Sequence, residues 1–216
     1  MAQVPLYSRH ISLGAKCGPF GGWDMPIEYS HGTVAEHNAV RQTVGIFDVS
    51  HMGKLTITGV GAKEAINQIL TNDLNRIGNG QAQYSMLCND AGGIVDDLIV
   101  YLVSDDEVRI IPNASNASTV ADILSKGLPG GITLTNNHLT HGILAIQGPK
   151  SRDVLQQLGL NVDLEYMSFL DAQWKGFAVS VCRTGYTGEL GFELVAPNAA
   201  IVELWDAILS VDESLG

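Results

Sequence analysis

Apolar residues recur every three or four positions in five stretches of the chain, which is the spacing of one helical face. Pro149 suits the first turn of the fourth stretch, and Asn198 suits the N-cap of the fifth. Gly45 and Gly127 provide stops. The residues that define the faces of the five predicted helices are Val34, His37, Val40 and Val44; Ala62, Ala65, Ile66 and Ile69; Val120, Ile123 and Leu124; Val154, Leu155 and Leu158; and Val202, Trp205, Ile208 and Leu209.

The first predicted helix has a start signal of its own. Thr33 and Glu36 stand at the spacing of a capping box, in which the Glu36 side chain reaches back to the Thr33 backbone. Between the helices lie short apolar runs typical of strands, at 46–50, 54–58, 94–103, 108–111, 132–135, 144–146, 178–182 and 192–195. Runs of adjacent strands mixed with helices favour an α+β fold with antiparallel sheets over a regular βαβ alternation.

Charge and cysteine content narrow the function classes. The 216 residues carry a formal net charge of −11, which disfavours nucleic acid and anionic membrane surfaces as partners. Cys17, Cys88 and Cys182 are odd in number and far apart, so neither a disulfide framework nor a zinc ribbon is expected. We expect no secretory signal and no membrane span, and therefore a cytoplasmic protein.

An adjacent pair of carboxylates is the first candidate for chemistry. Asp96 and Asp97 lie in an apolar strand after Gly92 and Gly93, and side chains alternate between the faces of a strand. A carboxylate there is costly unless it is hydrogen-bonded or lies at an open site, so one of the pair is expected to have a specific task. The competing interpretation is that both only cap the preceding Gly-Gly turn.

A hairpin brings an amide to the same place. Pairing Val103 with Glu107 across the turn sets a register that places Asn113 opposite Asp97 and diagonal to Asp96. An amide offers both a donor and an acceptor to a heterocyclic ligand. Alternatively, Asn113 only starts the turn that follows Pro112.

The second candidate carboxylate follows a glycine-rich turn. Gly185, Gly188 and Gly191 indicate close backbone approach, and Glu193 lies between apolar residues in the next strand. An inward-facing carboxylate can accept two hydrogen bonds from an N–H/NH₂ pair such as a pterin edge. The alternative is a buried salt bridge to Arg183.

Several common sites are disfavoured by spacing. Asp48, Ser50 and His51 are too close in sequence to form a catalytic triad, because successive strand side chains diverge. His31, Glu36 and His37 lack the HExxH spacing, so no metal site is expected. Neither a P-loop nor a complete dinucleotide fingerprint is present in the sequence.

These stretches, in this order, resemble the aminomethyltransferases, the T-proteins of the glycine cleavage system. Any one of them is a weak signal, but the ordered set covers nearly the whole chain and is specific. The matching segments are 5–7, 20–26 (FGGWDMP), 36–37, 40–41, 47–52 (FDVSHM), 92–100 (GGIVDDLIV), 147–149 (QGP) and 184–193 (TGYTGELGFE).

The resemblance implies intertwined folate-binding subdomains, here 1–52 with 140–216 and 53–139, followed by a C-terminal β-barrel. It implies transfer of a methylene group from the aminomethylated lipoyl arm of H-protein to tetrahydrofolate, with release of ammonia. In a eukaryote the location would be the mitochondrial matrix. Asp96 matches the family's catalytic aspartate and Glu193 its pterin-binding carboxylate; further folate positions are matched by Met52, Tyr84, Asn113 and Tyr186.

The sequence departs from the family in one respect, and three other functions compete with aminomethyl transfer. The family's later arginine-bearing segment and its barrel are not in these 216 residues, which leaves open whether the chain is a fragment and whether it is active as it stands. A folate-dependent demethylase of a small molecule would share Asp96 and Glu193 without needing H-protein. A non-catalytic folate-binding protein of iron–sulfur assembly would carry a cysteine within 185–189, which this chain lacks. The third rival is a purely structural α+β domain.

Overall fold

The chain folds as an α+β protein with antiparallel five-stranded sheets, which confirms the predicted fold class. The structure is a computed structural model, and it describes residues 1–211. It separates into two compact units. Unit 1 consists of Met1–His51 together with the chain from Thr140 onward, and unit 2 consists of Met52–Leu139.

The described residues form strands and α-helices that we number in chain order. They are β1 (Ala2–Gln3), α1 (Tyr7–Ser12), β2 (Lys16–Phe20), β3 (Trp23–Glu28), α2 (Thr33–Gln42), β4 (Gly45–Asp48), β5 (Leu55–Thr58), α3 (Ala62–Asn67), β6 (Gln81–Cys88), β7 (Ile94–Ser104), β8 (Glu107–Ile111), α4 (Ala117–Gly127), β9 (Thr133–Asn136), β10 (His141–Gln147), α5 (Ser151–Gln157), β11 (Phe169–Trp174), β12 (Phe177–Cys182), β13 (Gly191–Pro197) and α6 (Asn198–Leu209), with a 3-10 turn at Leu74–Arg76.

Unit 1 is built on a sheet with strand order β11-β12-β13-β10-β4, and a small sheet of β1, β3 and β2 belongs to the same unit. On β13, the alternate residues Phe192, Leu194 and Ala196 are buried in one apolar core with residues of α5 and α6. Since strand side chains alternate, Glu193 points to the opposite face of this sheet. The core of unit 1 therefore fixes the direction of Glu193.

Unit 2 has a sheet with strand order β6-β7-β8-β5-β9, backed by α3 and α4. Leu98, Val100 and Leu102 of β7 enter its core together with Val120 and Leu124 of α4. Asp96 shares their parity along β7 and therefore lies on the helix-covered face. Asp97 lies on the other face.

Several predicted helix boundaries are wrong. Gly32 and Pro197 occupy the N-cap positions of α2 and α6, and neither helix has a side-chain cap. The capping box at Thr33 is therefore absent, and the Glu36 carboxylate instead accepts a hydrogen bond from the Tyr29 backbone N–H at 2.8 Å. At the other end, α2 stops at Gln42, and Gly45 begins β4.

Two residues expected to face inward are exposed. Val34 is 76% exposed and Leu209 is 49% exposed. Within α2 only Val40 is buried, so the apolar spacing overstated how much of this surface helix meets the core. The sequence pattern also missed the strands β2, β3, β6 and β11. Polar residues such as Gln81 and Gln83 in β6, and Pro26 in β3, conceal the strand signal.

Candidate functional site

The β7–β8 hairpin brings Asn113 to both aspartates. Ile99 pairs with Ile111 and Leu102 pairs with Val108, which is the register that the sequence predicted. Only the turn differs, because a bulge pairs Ser104 with Glu107 in place of Val103. Asn113 follows the end of β8, and its side-chain Nδ2 lies 2.8 Å from the Asp97 backbone oxygen.

Asp96 is buried and surrounded by donors from its own unit. It is 2% exposed. Its Oδ2 accepts the backbone N–H of Asn113 at 2.9 Å. Its Oδ1 accepts Nδ2 of Asn113 at 3.0 Å and Nδ2 of Asn116 at 2.7 Å. Three donors satisfy a carboxylate that would be costly to bury alone, which makes Asp96 the centre of a local network.

Asp97 has the opposite environment. Its side chain is exposed on the face of the sheet away from the helices. Oδ1 accepts Nδ2 of Asn113 at 3.0 Å, and Oδ2 accepts the phenol of Tyr84 at 2.7 Å. This hydrogen bond to Asp97 raises the pKa of Tyr84, so the phenol keeps its proton and acts as the donor. Asp97 is thus an accessible carboxylate held in place from two sides.

Met52 is the first residue of unit 2. The backbone N–H of Gly53 donates to the carbonyl of Pro112 at 2.9 Å. A Cβ on Gly53 would lie 2.5 Å from Pro112 Cγ and 2.8 Å from the Ala117 side chain, so only glycine permits this approach. The half-buried Met52 directly precedes Gly53, and Pro112 directly precedes Asn113. The contact between Gly53 and Pro112 therefore joins the two chain segments that carry Met52 and Asn113.

Among residues 1–211, one side chain donates a hydrogen bond to the Glu193 carboxylate of unit 1. Glu193 lies at the middle of β13, paired with Ala145 of β10 and Cys182 of β12. The buried Thr184 hydroxyl donates to its Oε2. Burial raises the pKa of Glu193, and the Thr184 hydrogen bond offsets part of that rise. A single neutral donor leaves acceptor positions on the Glu193 carboxylate, and further donors there would lower its pKa.

The alternative of a salt bridge between Glu193 and Arg183 has no support in the contacts that Arg183 makes. Its Nη1 donates to the Leu164 carbonyl at 3.3 Å. Its guanidinium carbon lies 5.4 Å from the centre of the Phe192 ring. Since Phe192 belongs to the opposite face of β13, Arg183 is engaged on the core side of the strand.

The turn before Glu193 is organised by Gln147, a residue that sequence reasoning did not single out as a site. Gln147 is 1% exposed; its Nε2 donates to the carbonyls of Thr184 and Phe192, and its Oε1 accepts the Thr187 hydroxyl. A Cβ at Gly185 or Gly191 would lie within 2.4 Å of the Gln147 amide. The glycines therefore make room for this amide. The signal was present in the matched QGP segment.

Arg41 holds the outside of the same turn. Its Nη1 donates to the Thr187 carbonyl at 2.7 Å and to the Glu189 carboxylate at 2.8 Å. Tyr186, at the tip, is 91% exposed. The predicted unit 1 residues Tyr186 and Glu193 thus lie on one anchored turn and the strand that follows it, with the tyrosine ring open to solvent.

A second buried network was missed altogether. His10 is fully buried; its Nε2 lies 2.9 Å from Asp48 Oδ2, and its Nδ1 lies 2.7 Å from the Tyr29 hydroxyl. Burial, followed by the charge of Asp48, raises the pKa of Tyr29 to about 12. Asp48 also accepts the Ser50 N–H, which shapes the turn toward His51. No local pattern could have paired residues 38 positions apart.

Two features are absent from residues 1–211. No group of three or more His, Cys, Asp or Glu side chains there is arranged to hold a metal ion. No helix in that range is long and apolar enough to cross a membrane.

Together the fold and these residues define a class: an α+β protein of two sheet-based units, each presenting a carboxylate on the sheet face away from its helices. The model of the GCVT N-terminal domain matches residues 6–216, and the chain belongs to that family. This confirms the resemblance found in the sequence motifs.

Relatives support the same placement. The aminomethyltransferase of Parafrankia sp. is 54% identical over 217 residues, covering 100% of this chain and 60% of the relative. That of Mycobacterium tuberculosis is 50% identical over 212 residues, covering 98% and 58%. The chain therefore spans about 60% of the length of the curated relatives it matches.

Two solved structures share the fold. The glycine cleavage system aminomethyltransferase T from Bartonella henselae matches with a TM-score of 0.91 at 34% identity, over 97% of this chain and 57% of that one. A chain of the heterotetrameric sarcosine oxidase from Corynebacterium sp. U-96 matches with a TM-score of 0.56 at 14% identity, over 83% and 92%. The second likeness concerns the fold alone.

Proposed function

We propose that this chain is the tetrahydrofolate-binding part of an aminomethyltransferase of the glycine cleavage system. The reaction moves the methylene group of S-aminomethyl-dihydrolipoyl H-protein to tetrahydrofolate and releases ammonia and the dihydrolipoyl thiol. Lipoylated H-protein is the partner in this proposal. The relatives' names support the reaction class, and the observation that carries the chemistry is the exposed Asp97 held by Tyr84 and Asn113.

We propose that the reactive role belongs to Asp97 and not to Asp96. The sequence motif favours Asp96 for this role, but that carboxylate faces the helices and already receives three hydrogen bonds. A group that meets substrate needs access and a free acceptor site. Asp97 is exposed, and its two side-chain donors among residues 1–211 leave acceptor capacity on both oxygens. We therefore propose Asp97 as the catalytic carboxylate.

The proposed role of Asp97 is electrostatic and acid–base. The nucleophile is a folate nitrogen, so the protein need not supply one. Positive charge develops on that nitrogen as it bonds to the iminium-like methylene carbon, and a fixed carboxylate nearby stabilises it. The same carboxylate can take up the proton that the nitrogen loses. Tyr84, with its raised pKa, remains a donor and holds Asp97 in one orientation.

Glu193 is proposed to hold the pterin edge. Its oxygens accept only the Thr184 hydroxyl among the described side chains, which leaves room for an N–H/NH₂ pair from the ligand. Two donors would stabilise the ionised form, which burial disfavours in the free protein. Tyr186 and Met52 stay candidate folate contacts on the strength of the resemblance.

The direct test is a release assay with aminomethylated H-protein and tetrahydrofolate. It uses a full-length chain in which these residues are followed by the remainder that the relatives contain. We expect equal amounts of methylenetetrahydrofolate and ammonia. Release of ammonia at the same rate without tetrahydrofolate would contradict the proposed transfer, and so would transfer that does not require H-protein.

A further inference from the structure

Asn116 stands at a position that normally has a different use. It is the N-cap residue of α4, where an asparagine side chain usually accepts a hydrogen bond from the first turn of the helix. Here it makes no capping hydrogen bond. Its Nδ2 donates instead to Asp96 Oδ1 at 2.7 Å, twenty residues back in the chain. The side chain is thus committed to the carboxylate and not to the helix.

Asp96 in turn holds Asn113 in place. One carboxylate binds the Asn113 backbone N–H through Oδ2 and the Asn113 side-chain Nδ2 through Oδ1. Gripping both the main chain and the side chain of one residue fixes its rotamer. Because Asn116 shares Oδ1, it also fixes the carboxylate plane. The backbone N–H of Asn116 completes the loop by donating to the Asn113 carbonyl at 3.0 Å.

The surroundings also settle which way the Asn113 amide points. Three acceptor oxygens lie within 3.0 Å of one terminal atom: Asp96 Oδ1, Asp97 O and Asp97 Oδ1. Only a nitrogen can satisfy them, with one of its two hydrogens shared. The amide oxygen must then point the other way, and no residue from 1 to 211 donates a hydrogen bond to it.

We propose that Asp96 and Asn116 are positioning residues that hold the Asn113 amide with its oxygen presented to a ligand. The site then selects a ligand with an N–H or O–H donor at this point, and it disfavours a bare acceptor there. This rests on the proposed function for the identity of the ligand, a reduced folate. The orientation of Asn113 itself does not depend on that identity.

The central test is Asn116→Ala in the full-length protein, because Asn116 touches neither Asp97 nor the ligand in this scheme. We expect the KM for tetrahydrofolate to rise roughly tenfold, the value of one well-placed hydrogen bond, and kcat to fall by a smaller factor, because Tyr84 still holds Asp97 when Asn113 is loosened. Asn79→Ala, in an exposed turn of the same unit, is the matched control and should leave both constants unchanged.

A second readout is independent of activity. In protein labelled with ¹⁵N on asparagine side chains, we expect the Asn113 NH₂ protons to be strongly protected from exchange, because two carboxylates and a carbonyl accept from them. Asn116→Ala should reduce that protection, and Asn116→Gln, which can still reach Asp96, should restore part of it. A residue with a merely structural role would lower Tm without moving either the KM or these protons.

The outcomes separate the two proposals. If Asn116→Ala lowers only kcat or Tm and leaves the Asn113 protons protected, the positioning role is overturned. If wild-type protein binds no tetrahydrofolate while the Asn113 protons behave as expected, the proposed function fails and the orientation stands. Protection that is absent in the wild type overturns the orientation itself.

Discussion

The candidate carboxylates of the two units differ in how their own unit satisfies them. In unit 2, Asp96 receives three hydrogen bonds from amides and faces the helices, while Asp97 stays exposed between Tyr84 and Asn113. In unit 1, Glu193 receives one hydroxyl, and its pKa is raised by burial. Saturated carboxylates serve structure, and undersatisfied ones are available to a ligand. Substitutions at these three residues test that difference.

Asp97→Asn should have the largest effect on function and almost none on stability. An asparagine at 97 can place its oxygen toward Asn113 and donate its NH₂ to the Tyr84 oxygen, because a phenol can accept as well as donate. Only the charge is lost. We expect turnover to fall about 10²-fold or more with folate affinity largely kept, measured by methylenetetrahydrofolate formation in the full-length protein.

The matched control for Asp97→Asn is Asp90→Asn, which removes the charge of an exposed aspartate in the turn before β7. It should keep full turnover. Normal turnover in Asp97→Asn together with abolished turnover in a well-folded Asp96→Asn protein would return the catalytic role to Asp96.

Asp96→Asn should lower stability and, because Asp96 positions Asn113, should also raise the KM for tetrahydrofolate. Donors face both oxygens of Asp96, so an asparagine must point its NH₂ at one of them and lose at least one buried hydrogen bond. We expect a loss of about 1–3 kcal/mol in the free energy of unfolding, from denaturant titration. Equal stability of the Asp96→Asn and Asp97→Asn proteins would contradict the contrast between buried and exposed carboxylates.

The two adjacent aspartates show which features of the candidate site could be predicted from the sequence and which could not. Alternation along a strand predicted that they face opposite ways, and hairpin counting predicted that Asn113 meets them. Which face of the β7 strand is covered depends on the packing of α4. That packing is a tertiary contact, and the local sequence of the strand carries no signal for it. For this reason the motif alone favoured Asp96, and burial favours Asp97.

Several predicted helix ends are wrong for a related reason. Apolar spacing gave the element types of most helices but not their ends, because Gly32 and Pro197 occupy the caps assigned to their neighbours Thr33 and Asn198. The His10–Asp48–Tyr29 network and the Gln147 anchor join residues distant in sequence. Patterns of period two or 3.6 carry no information about such pairings.

Glu193→Ala should weaken ligand binding by a moderate amount. The proposed donor pair on the pterin would lose its acceptor, which costs about 1–3 kcal/mol, or roughly ten- to hundredfold in Kd. Calorimetric titration of the full-length protein with tetrahydrofolate measures it. Glu165→Ala, which removes an exposed carboxylate from the same unit, is the control. Unchanged affinity in the Glu193 variant would remove this residue from the site.

The smallest expected effect is a pH dependence of stability that Glu193→Gln removes. Because burial raises the pKa of Glu193 in the folded chain above its ordinary value of 4.5, the folded state holds a proton that the unfolded state releases between those two values. Stability from this group therefore falls as pH rises through that window, whereas below pH 4.5 both states are protonated and the cost is absent. The slope cannot exceed about 1.4 kcal/mol per pH unit, the limit for one proton.

Denaturant titrations of wild type and Glu193→Gln across the window measure this effect. The difference in unfolding free energy should move in favour of the variant with rising pH, while Glu165→Gln shows no such trend. Bound tetrahydrofolate should reverse this pH dependence for the wild type, since two ligand donors favour the ionised carboxylate. A wild type whose stability relative to Glu193→Gln rises with pH in the absence of ligand would show that Glu193 is already paired with a cation, and its assignment to the pterin edge would then fall.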